Sequence, residues 1–469
     1  MEYRVEKDVL GEMNVPAEAY WGIHTQRALE NFRVSGLRVD PELIRGIASV
    51  KKACCQANAE LGLLDKNKAS AIEQACDEIL EGKFDAEFPL DALQGGAGTS
   101  TNMNVNEVIA NRCAEIMGGK KGEYALVDPI EDVNLNQSTN DVYPTALKVA
   151  GIRKLRRLST SIELLQGAFQ KKEKEFAGIV TIGRTELKDA VPMTLGQEFS
   201  AFAEAIGRDR WRTFKCEERL RQVNLGGTAV GTGLTAPRSY IFLACDKLRD
   251  LTGFGLSRGE NLVDLTANAD AFVEVSGILK AHSQNLVKIC GDLRLLSLLE
   301  EIELPALQAG SSVMPGKVNP VVLESAIQAG LCCIADDGLV TECASRGSLQ
   351  INEFLPLLAH ALLGQMSMLA NADEMLEKYV AVISANPEGC RRHFEKSPMI
   401  ITALLPAIGY TKANELLKKF TSSGRSDLKA FLTENLGTEL VEKAFSAANL
   451  TALGYGPGAS PRRNNPPGP

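Results

Sequence analysis

The residues best suited to chemistry lie on one short polar loop, Gly310–Pro320, which reads Gly-Ser-Ser-Val-Met-Pro-Gly-Lys-Val-Asn-Pro. Gly310 and Gly316 would permit a hinged loop of the kind that closes over a substrate. Lys317 offers a point charge for a carboxylate, and backbone N–H groups can stabilise developing negative charge. The loop is therefore a candidate catalytic element, although residues of these types also cap helices.

Two further segments, Gln94–Asn104 and Asn134–Asp141, are rich in Gly, Ser, Thr and Asn and carry almost no charge. A shorter one is Gly183–Glu186. Hydroxyls and amides of this kind fix the orientation of a small ligand without neutralising it. The segments are thus candidates for binding a small dicarboxylate.

Helix capping is the simpler explanation for part of these residues. Thr99 or Ser100 could cap a helix over 103–117, and Asp141 could cap a helix that begins near Tyr143. Capping alone does not require three such clusters, each ahead of a long helix.

Long amphipathic helices are the elements that would hold these segments in place. Apolar residues recur at spacings of three and four from Leu155 onward, as in a helix that packs against a partner. Such helices bury their apolar faces in a bundle, often shared between subunits. The first helix carries Leu155, Leu158, Ile162, Leu165 and Phe169, and similar patterns span 197–223, 269–296, 319–343 and 352–379; strand-like runs are few, with 178–181 a weak candidate.

Composition limits the possible classes of protein. With 469 residues, 45% of them hydrophobic and 23% charged, the chain has an ordinary soluble composition and room for roughly three domains. The net charge of -8 argues against nucleic acid as a partner. No apolar stretch reaches the length of a membrane span, and the N-terminus has no signal-peptide core, so we expect no membrane association.

Cysteine and histidine usage bears on location and cofactors. The 11 cysteines include no C-x-x-C pair, and an odd, scattered set fits a reducing cytoplasm. None of the 4 histidines lies at metal-ligand spacing from another His or Cys, so no metal site is expected. The Pro- and Gly-rich stretch 454–469 is predicted to be a disordered tail.

The loop Gly310–Pro320 resembles the signature loop of the aspartase/fumarase superfamily. Nearly the whole chain, from about Glu6 to about Leu453, resembles that family in family order. The further segments that carry the resemblance are 16–25, 94–107, 137–145, 183–199 and 224–233.

The resemblance implies a mostly α, three-domain fold. It comprises an N-terminal domain (1–140), a central bundle of long helices (141–384) and a small C-terminal domain (385–453), followed by the tail. Four subunits would pool their central helices in a homotetramer, with each active site drawing on three chains. No organic cofactor is implied.

Within the superfamily, the residues at 22–25, 94–100 and 349–352 resemble those of the ammonia-lyase branch more than those of the fumarases. The implied reaction interconverts L-aspartate with fumarate and ammonia through an enediolate (aci-carboxylate) intermediate. The alternatives are a class II fumarase or a lyase for another N-substituted aspartate. From a different class, a helical oligomer retained for structure or binding remains possible, but the joint presence of so many site residues argues against it.

The resemblance also implies a role for each matching residue. Ser311 would be the general base that removes a proton from the carbon beside one carboxylate. The substrate-binding residues fall into three groups: Thr99, Ser138, Thr139 and Ser312 for that carboxylate; Thr185, Lys317 and Asn319 for the other; and Asn140, Glu186 and Glu324 on the side of the amine.

Three positions depart from the family pattern. Glu186 stands where relatives have His or Gln, so we expect either a carboxylate that attracts the substrate ammonium or a side chain turned outward to bond Arg184 or Lys188. The connection after Ser297 is several residues shorter than usual, so the resemblance implies no resting position for the signature loop. Asp132 replaces a frequent His, and no accessory anion site is expected there.

Overall fold

The computed structural model describes residues 2–455, so the predicted tail lies almost wholly outside the described residues. Within that range the chain is mostly α, as predicted. The strands are β1 (Tyr3–Asp8), β2 (Gly11–Pro16), β3 (Val180–Thr185), β4 (Lys188–Thr194), β5 (Gln222–Val223), β6 (Ser257–Arg258), β7 (Ile302–Glu303) and β8 (Ser384–Ala385).

The helices range from single turns to one of 37 residues. They are α1 (Ile23–Asn31), α2 (Pro41–Glu60), α3 (Lys66–Leu80), α4 (Thr99–Ile116), α5 (Thr139–Glu175), α6 (Leu195–Leu220), α7 (Arg238–Thr252), α8 (Leu262–Ala267), α9 (Asp270–Leu298), α10 (Val321–Ser345), α11 (Leu355–Ala381), α12 (Pro387–Lys396), α13 (Leu405–Ser422), α14 (Leu428–Leu436), α15 (Thr438–Phe445) and α16 (Ala447–Thr451), with short 3₁₀ helices at Asp85–Glu87 and Pro398–Leu404.

The chain divides into two compact units whose boundaries fall inside the long helices. The first unit runs to Thr160 and also contains Arg210–Gln284 and Ala329–Ala370. The second contains Ser161–Asp209, Asn285–Gln328 and the chain from Asn371 onward. The three-domain division stays a prediction.

In the first unit, α2 packs against α3, α4 and α7. Asp40 caps α2 by accepting a hydrogen bond from the Glu42 N–H, and the apolar residues on its inner face are buried. A Cβ on Gly46 would lie 2.5 Å from the carbonyl oxygen of Ala146. Glycine therefore allows α2 to approach the first turns of α5 closely.

In the second unit, the antiparallel β3–β4 hairpin packs on the helices near the C-terminus. Ile182 of β3 belongs to a buried apolar cluster with Phe394, Leu432 and Val441. This packing fixes the base of the hairpin and leaves its tip, at Glu186, exposed.

The predicted long helices are confirmed. Every residue of the Leu155–Phe169 seam is at most 2% exposed, and the other four patterns match α6, α9, α10 and α11 to within a few residues at each end. The weak strand candidate at 178–181 overlaps β3 at its first two residues, Val180 and Thr181. Among the described residues, none of the helices is both long and apolar enough to span a bilayer.

Candidate active site

The Gly-rich turn before α4 holds Thr99 at the first position of the helix. Three consecutive residues, Gly96, Ala97 and Gly98, have positive φ, and a Cβ on Gly98 would lie 2.3 Å from the ring of Tyr143. Only glycine fits there. The expectation that Thr99 or Ser100 caps the helix is wrong, because the cap position is Gly98 and the Thr99 hydroxyl instead donates to the Gly96 carbonyl at 2.8 Å.

Ser138, Thr139 and Asn140 lie together where α5 begins. The Ser138 hydroxyl accepts the N–H of Asn140 at 3.2 Å, and Asp141 Oδ1 accepts the N–H of Ser138 at 3.0 Å. Ser138 is therefore the capping residue, because its hydroxyl accepts the N–H of the second helical residue. Asp141, the third helical residue, returns a bond to the Ser138 N–H, as the third residue of a capping box does. The prediction that Asp141 itself caps the helix is therefore wrong in position.

Asp141 also ties this segment to a second loop of the same unit. Its Oδ2 accepts the N–H groups of Gly226 and Thr228, each at 3.0 Å. Asn140 is held from the same side, because its amide donates to the Ala229 carbonyl at 2.7 Å. Burial raises the pKa of Asp141 to about 6, against the lowering effect of its three backbone N–H donors.

A buried lysine supports the segment that precedes α5. The Nζ of Lys51, on α2, donates to Oδ1 of Asn134 at 2.7 Å, and the amides of Asn102 and Asn106 donate to the same oxygen at 3.2 Å. Asn134 in turn donates to the Gln137 carbonyl at 3.2 Å. Burial lowers the pKa of Lys51 to about 7.

The sequence reasoning gave no individual role to Lys51, Asn134 or Asn224, which support the site, although Asn134 and Asn224 each begin a segment that it had singled out. Asn224 donates to the Asn140 carbonyl at 3.0 Å. For Lys51 a signal was present, because it continues the buried Ile44 and Ile47 stripe of α2 at helical spacing. A lysine inside an apolar stripe indicates a polar partner in the core.

In the second unit, the loop Gly310–Pro320 closes on itself between β7 and α10. The Gly310 N–H donates to the Lys317 carbonyl at 2.7 Å, and the Asn319 amide donates to the Gly310 carbonyl at 2.9 Å. A Cβ on Gly310 would lie 2.9 Å from that Lys317 oxygen, so the closure requires glycine.

Ser311 is held inside this loop by two donors. Its Oγ accepts the N–H of Val313 at 3.1 Å and that of Met314 at 2.9 Å. Two N–H dipoles directed at one oxygen stabilise negative charge there. The hydroxyl of Ser312 and the side chain of Lys317 are exposed, and the latter forms no ion pair with the residues that the structure describes.

Thr185 and Glu186 occupy the tip of the β3–β4 hairpin. Glu186 and Leu187 both have positive φ, at 53° and 61°, which is the geometry of a tight type I′ turn. The expected bond from Glu186 to Arg184 or Lys188 is absent within residues 2–455, and Arg184 pairs with Glu301 at 2.7 Å instead. Glu324, on α10, pairs with Arg294 at 3.5 Å.

The structure thus brings the predicted residues together in separate groups. Ser138, Thr139 and Asn140 form one group, and the loop residues around Ser311 form another. Their convergence in a single site stays a prediction. Within residues 2–455, no three His, Cys, Asp or Glu side chains are arranged to hold a metal ion.

A family model described as lyase matches residues 11–334 of the chain. The chain belongs to this lyase family. The family belongs to the aspartase/fumarase superfamily, whose motifs the sequence carries.

Two curated members of the lyase family illustrate the degree of similarity. The aspartate ammonia-lyase of Pseudomonas fluorescens is 46% identical over 444 residues, which cover 92% of this chain and 93% of that protein. The aspartate ammonia-lyase of Escherichia coli is 45% identical over 462 residues, which cover 96% and 97%.

Solved structures of the lyase family share the fold. A fumarate lyase:delta crystallin from Brucella melitensis, bound to cobalt, matches with a TM-score of 0.92 and 43% identity, covering 96% of this chain and 100% of that one. A class II fumarase from Schistosoma mansoni matches with a TM-score of 0.88 and 31% identity, covering 95% and 99%.

Proposed function

We propose that this lyase is an aspartate ammonia-lyase, which interconverts L-aspartate with fumarate and ammonia. The observation that carries the proposal is the identity of about 45% to curated aspartate ammonia-lyases over more than 90% of the chain. The class II fumarase is less similar in sequence, at 31%.

The proposed mechanism begins at Ser311. A C–H beside a carboxylate is a very weak acid, so the site must stabilise the extra negative charge of the enediolate with fixed donors. The Val313 and Met314 N–H groups that donate to Ser311 Oγ favour its alkoxide form, which can then take the proton.

The carboxylate beside that carbon is assigned to hydroxyl groups at helix starts. Thr99 opens α4, Thr139 opens α5, and Ser138 immediately precedes α5. The positive end of a helix dipole favours an anion at each of these positions. Ser312 would join them when the loop closes.

The second carboxylate is assigned to Thr185, Lys317 and Asn319, and the amine to Asn140 and Glu186. Lys317 can neutralise a carboxylate because it has no ion-pair partner among the described residues. Glu186 would attract the substrate ammonium through charge, with Glu324 close to the signature loop on α10.

We propose a cytoplasmic homotetramer with D2 symmetry. The proposed assembly of subunits is supported by large apolar side chains that are exposed on the long helices, a pattern typical of surfaces that another subunit covers. They include Leu164 on α5, Trp211 and Phe214 on α6, and Leu331 on α10, exposed by 54%, 61%, 65% and 53%.

The test is the ultraviolet absorbance of fumarate formed from L-aspartate and, separately, from L-malate. The proposal predicts formation from aspartate and little or none from malate. Formation from malate alone would make the protein a fumarase, and formation from neither would exclude both activities.

A further inference from the structure

A cavity of about 580 Å³ lies in the first unit, beside α1 and the connection that joins α1 to α2. Apolar side chains form much of its wall, and the partly buried Trp21 and Phe32 contribute aromatic rings. The other apolar residues are Pro16, Leu29, Leu37 and Pro89. A cavity of this size with aromatic walls is typical of a small-molecule site, and the rings favour a planar ligand.

Two arginines give the cavity positive charge. Arg33 and Arg38 are exposed, and neither forms an ion pair among residues 2–455. Nε of Arg33 donates to the Leu29 carbonyl at 3.0 Å, which adds no negative charge. The two guanidinium groups therefore offer charge and N–H donors to an anion.

Asp91, the one carboxylate that the described residues place in the lining, is already saturated. Its Oδ2 accepts the N–H groups of Val34, Ser35 and Gly36 at 3.1, 2.8 and 2.9 Å. Its Oδ1 accepts the Ser35 hydroxyl at 2.6 Å and the Leu93 N–H at 2.8 Å. Burial opposes the charge, but the Ser35 hydroxyl and the backbone N–H groups outweigh it and lower the pKa of Asp91. Since these donors fill the roughly four lone-pair sites of a carboxylate, Asp91 has none left for the arginines.

Asp91 also connects the cavity to the Gly-rich turn before α4. Its carbonyl accepts the Gln94 amide at 2.9 Å, and Gln94 Oε1 accepts the N–H and the hydroxyl of Thr101 at 3.0 and 2.9 Å. The ring of Phe32 lies 3.9 Å from the position of a Cβ on Gly95. A ligand that orders the cavity wall therefore acts on the first turn of α4 through contiguous contacts.

We propose that this cavity binds a nucleoside monophosphate and that the bound nucleotide lowers the KM for aspartate. The base would stack on the aromatic rings, and the phosphate would bind Arg33 and Arg38. A phosphate monoester carries a charge of about −1.5 to −2 near pH 7, which matches two guanidinium groups, and its oxygens accept paired N–H donors. The binding is independent of the proposed function, and only the effect on KM rests on it.

Trp21 reports on its own cavity, because the chain has only 2 tryptophans and the other, Trp211, can be replaced. In Trp211→Phe protein, adenosine monophosphate should quench the remaining indole fluorescence to saturation. Adenosine retains the ring without the anion, and inorganic phosphate, measured by competition, retains the anion without the ring. We expect the monophosphate to bind about tenfold or more tightly than either, because charge-assisted hydrogen bonds add to stacking.

Arg38→Gln should weaken binding of the monophosphate about tenfold and leave adenosine unchanged, because it removes the charge and keeps a polar side chain. Arg391→Gln is the matched control, since Arg391 is also exposed and does not line the cavity. Phe32→Leu should weaken both ligands, because it removes a ring. Saturating fumarate should not displace the monophosphate, as it would from the active site.

In the wild-type enzyme, saturating adenosine monophosphate should lower the KM for aspartate about fivefold, because a turn held in place binds a carboxylate without reorganising. Absence of quenching, equal affinity for the monophosphate and for adenosine or phosphate, unchanged affinity in Arg38→Gln, or displacement by fumarate would each overturn the site. Binding with an unchanged KM would overturn its link to the turn. An enzyme that forms no fumarate from aspartate would contradict the proposed function instead, and nucleotide binding would still be measurable.

Discussion

The segment Ser138–Asp141 and the loop Gly310–Pro320 carry most of the predicted site residues, but they are held in different ways. The first is bonded to its surroundings through Asp141, Asn140 and the Lys51–Asn134 pair, all of them partly or fully buried. The second is bonded mainly to itself, and residues 312–318 are all exposed.

The difference indicates a division of labour. A segment whose polar groups are fixed in advance can bind a carboxylate without reorganising. A loop with few outside bonds opens at low cost, so it can admit substrate and then bring its serine into place. We infer that the fixed segment binds and that the loop supplies the base.

The strongest test of this comparison is Ser311→Ala. Loss of a general base lowers kcat by about 10²–10⁴-fold. The KM for aspartate should change little, because the fixed segment is intact. Steady-state rates of fumarate formation measure both constants.

Ser312→Ala is the neighbouring control and should be distinctly milder. Near-normal turnover by the Ser311→Ala enzyme, with its oligomeric state unchanged in light scattering, would show that the loop does not carry the base.

A second test concerns the hairpin tip, which resembles the loop in its exposure. Glu186→Gln removes a charge that would attract the ammonium of aspartate but not the hydroxyl of malate. We expect aspartate turnover to fall and the aspartate-over-malate ratio to fall about ten- to a hundredfold. An unchanged ratio would mean that Glu186 does not face the amine.

A third test asks whether the two regions of one site come from different chains. Thr139→Ala alters the fixed segment and Lys317→Ala alters the loop, so each homotetramer should be nearly inactive. Mixed tetramers would contain some sites with neither substitution. Their activity should therefore be a few-fold higher than that of either homotetramer. A fully active monomer in light scattering would contradict this assembly.

The smallest effect is expected from Lys51, the buried anchor of the fixed segment. Its pKa is lowered by burial to about 7 in the folded chain, from 10.5 in an exposed lysine. Between these pH values the unfolded chain binds one more proton than the folded chain. The free energy of unfolding should therefore rise with pH, by at most about 1.4 kcal/mol per pH unit from this group.

Lys51→Met cannot titrate, so the rise should be flatter. Urea unfolding near neutral pH and about two units higher measures the slope. Lys52→Met, at the next and less buried position, is the matched control and should retain the wild-type slope. A wild-type slope in Lys51→Met would mean that Lys51 stays charged in the folded chain.

The long helices were predictable because their period extends over many residues. The Leu155–Phe169 seam alone fixes the buried face of α5. The apolar patterns over 269–296 and 352–379 do the same for α9 and α11. The short strands were missed, since β1 and β2 are six-residue runs joined by a tight turn, and two-residue strands such as β7 leave no pattern.

The candidate site was predictable in residue type but not in local geometry. The cluster around Ser138 indicated a helix start, but which residue caps and which supports depends on Asp141 reaching Gly226 and Thr228, far along the chain. The partner of Arg184 was likewise missed, because Glu301 comes near it only through the fold. Contacts between distant segments have no signal in local spacing.

Hydrogen–deuterium exchange of the two regions, without ligand and with saturating fumarate, tests the division of labour most directly. Without ligand, amides of 312–318 should exchange fast and those in the first turns of α5 slowly. With fumarate, the loop amides should become protected while α5 changes little. Equally slow exchange in both regions before ligand is added, or a loop that stays unprotected at saturation, would contradict a mobile loop that closes on a fixed binding segment.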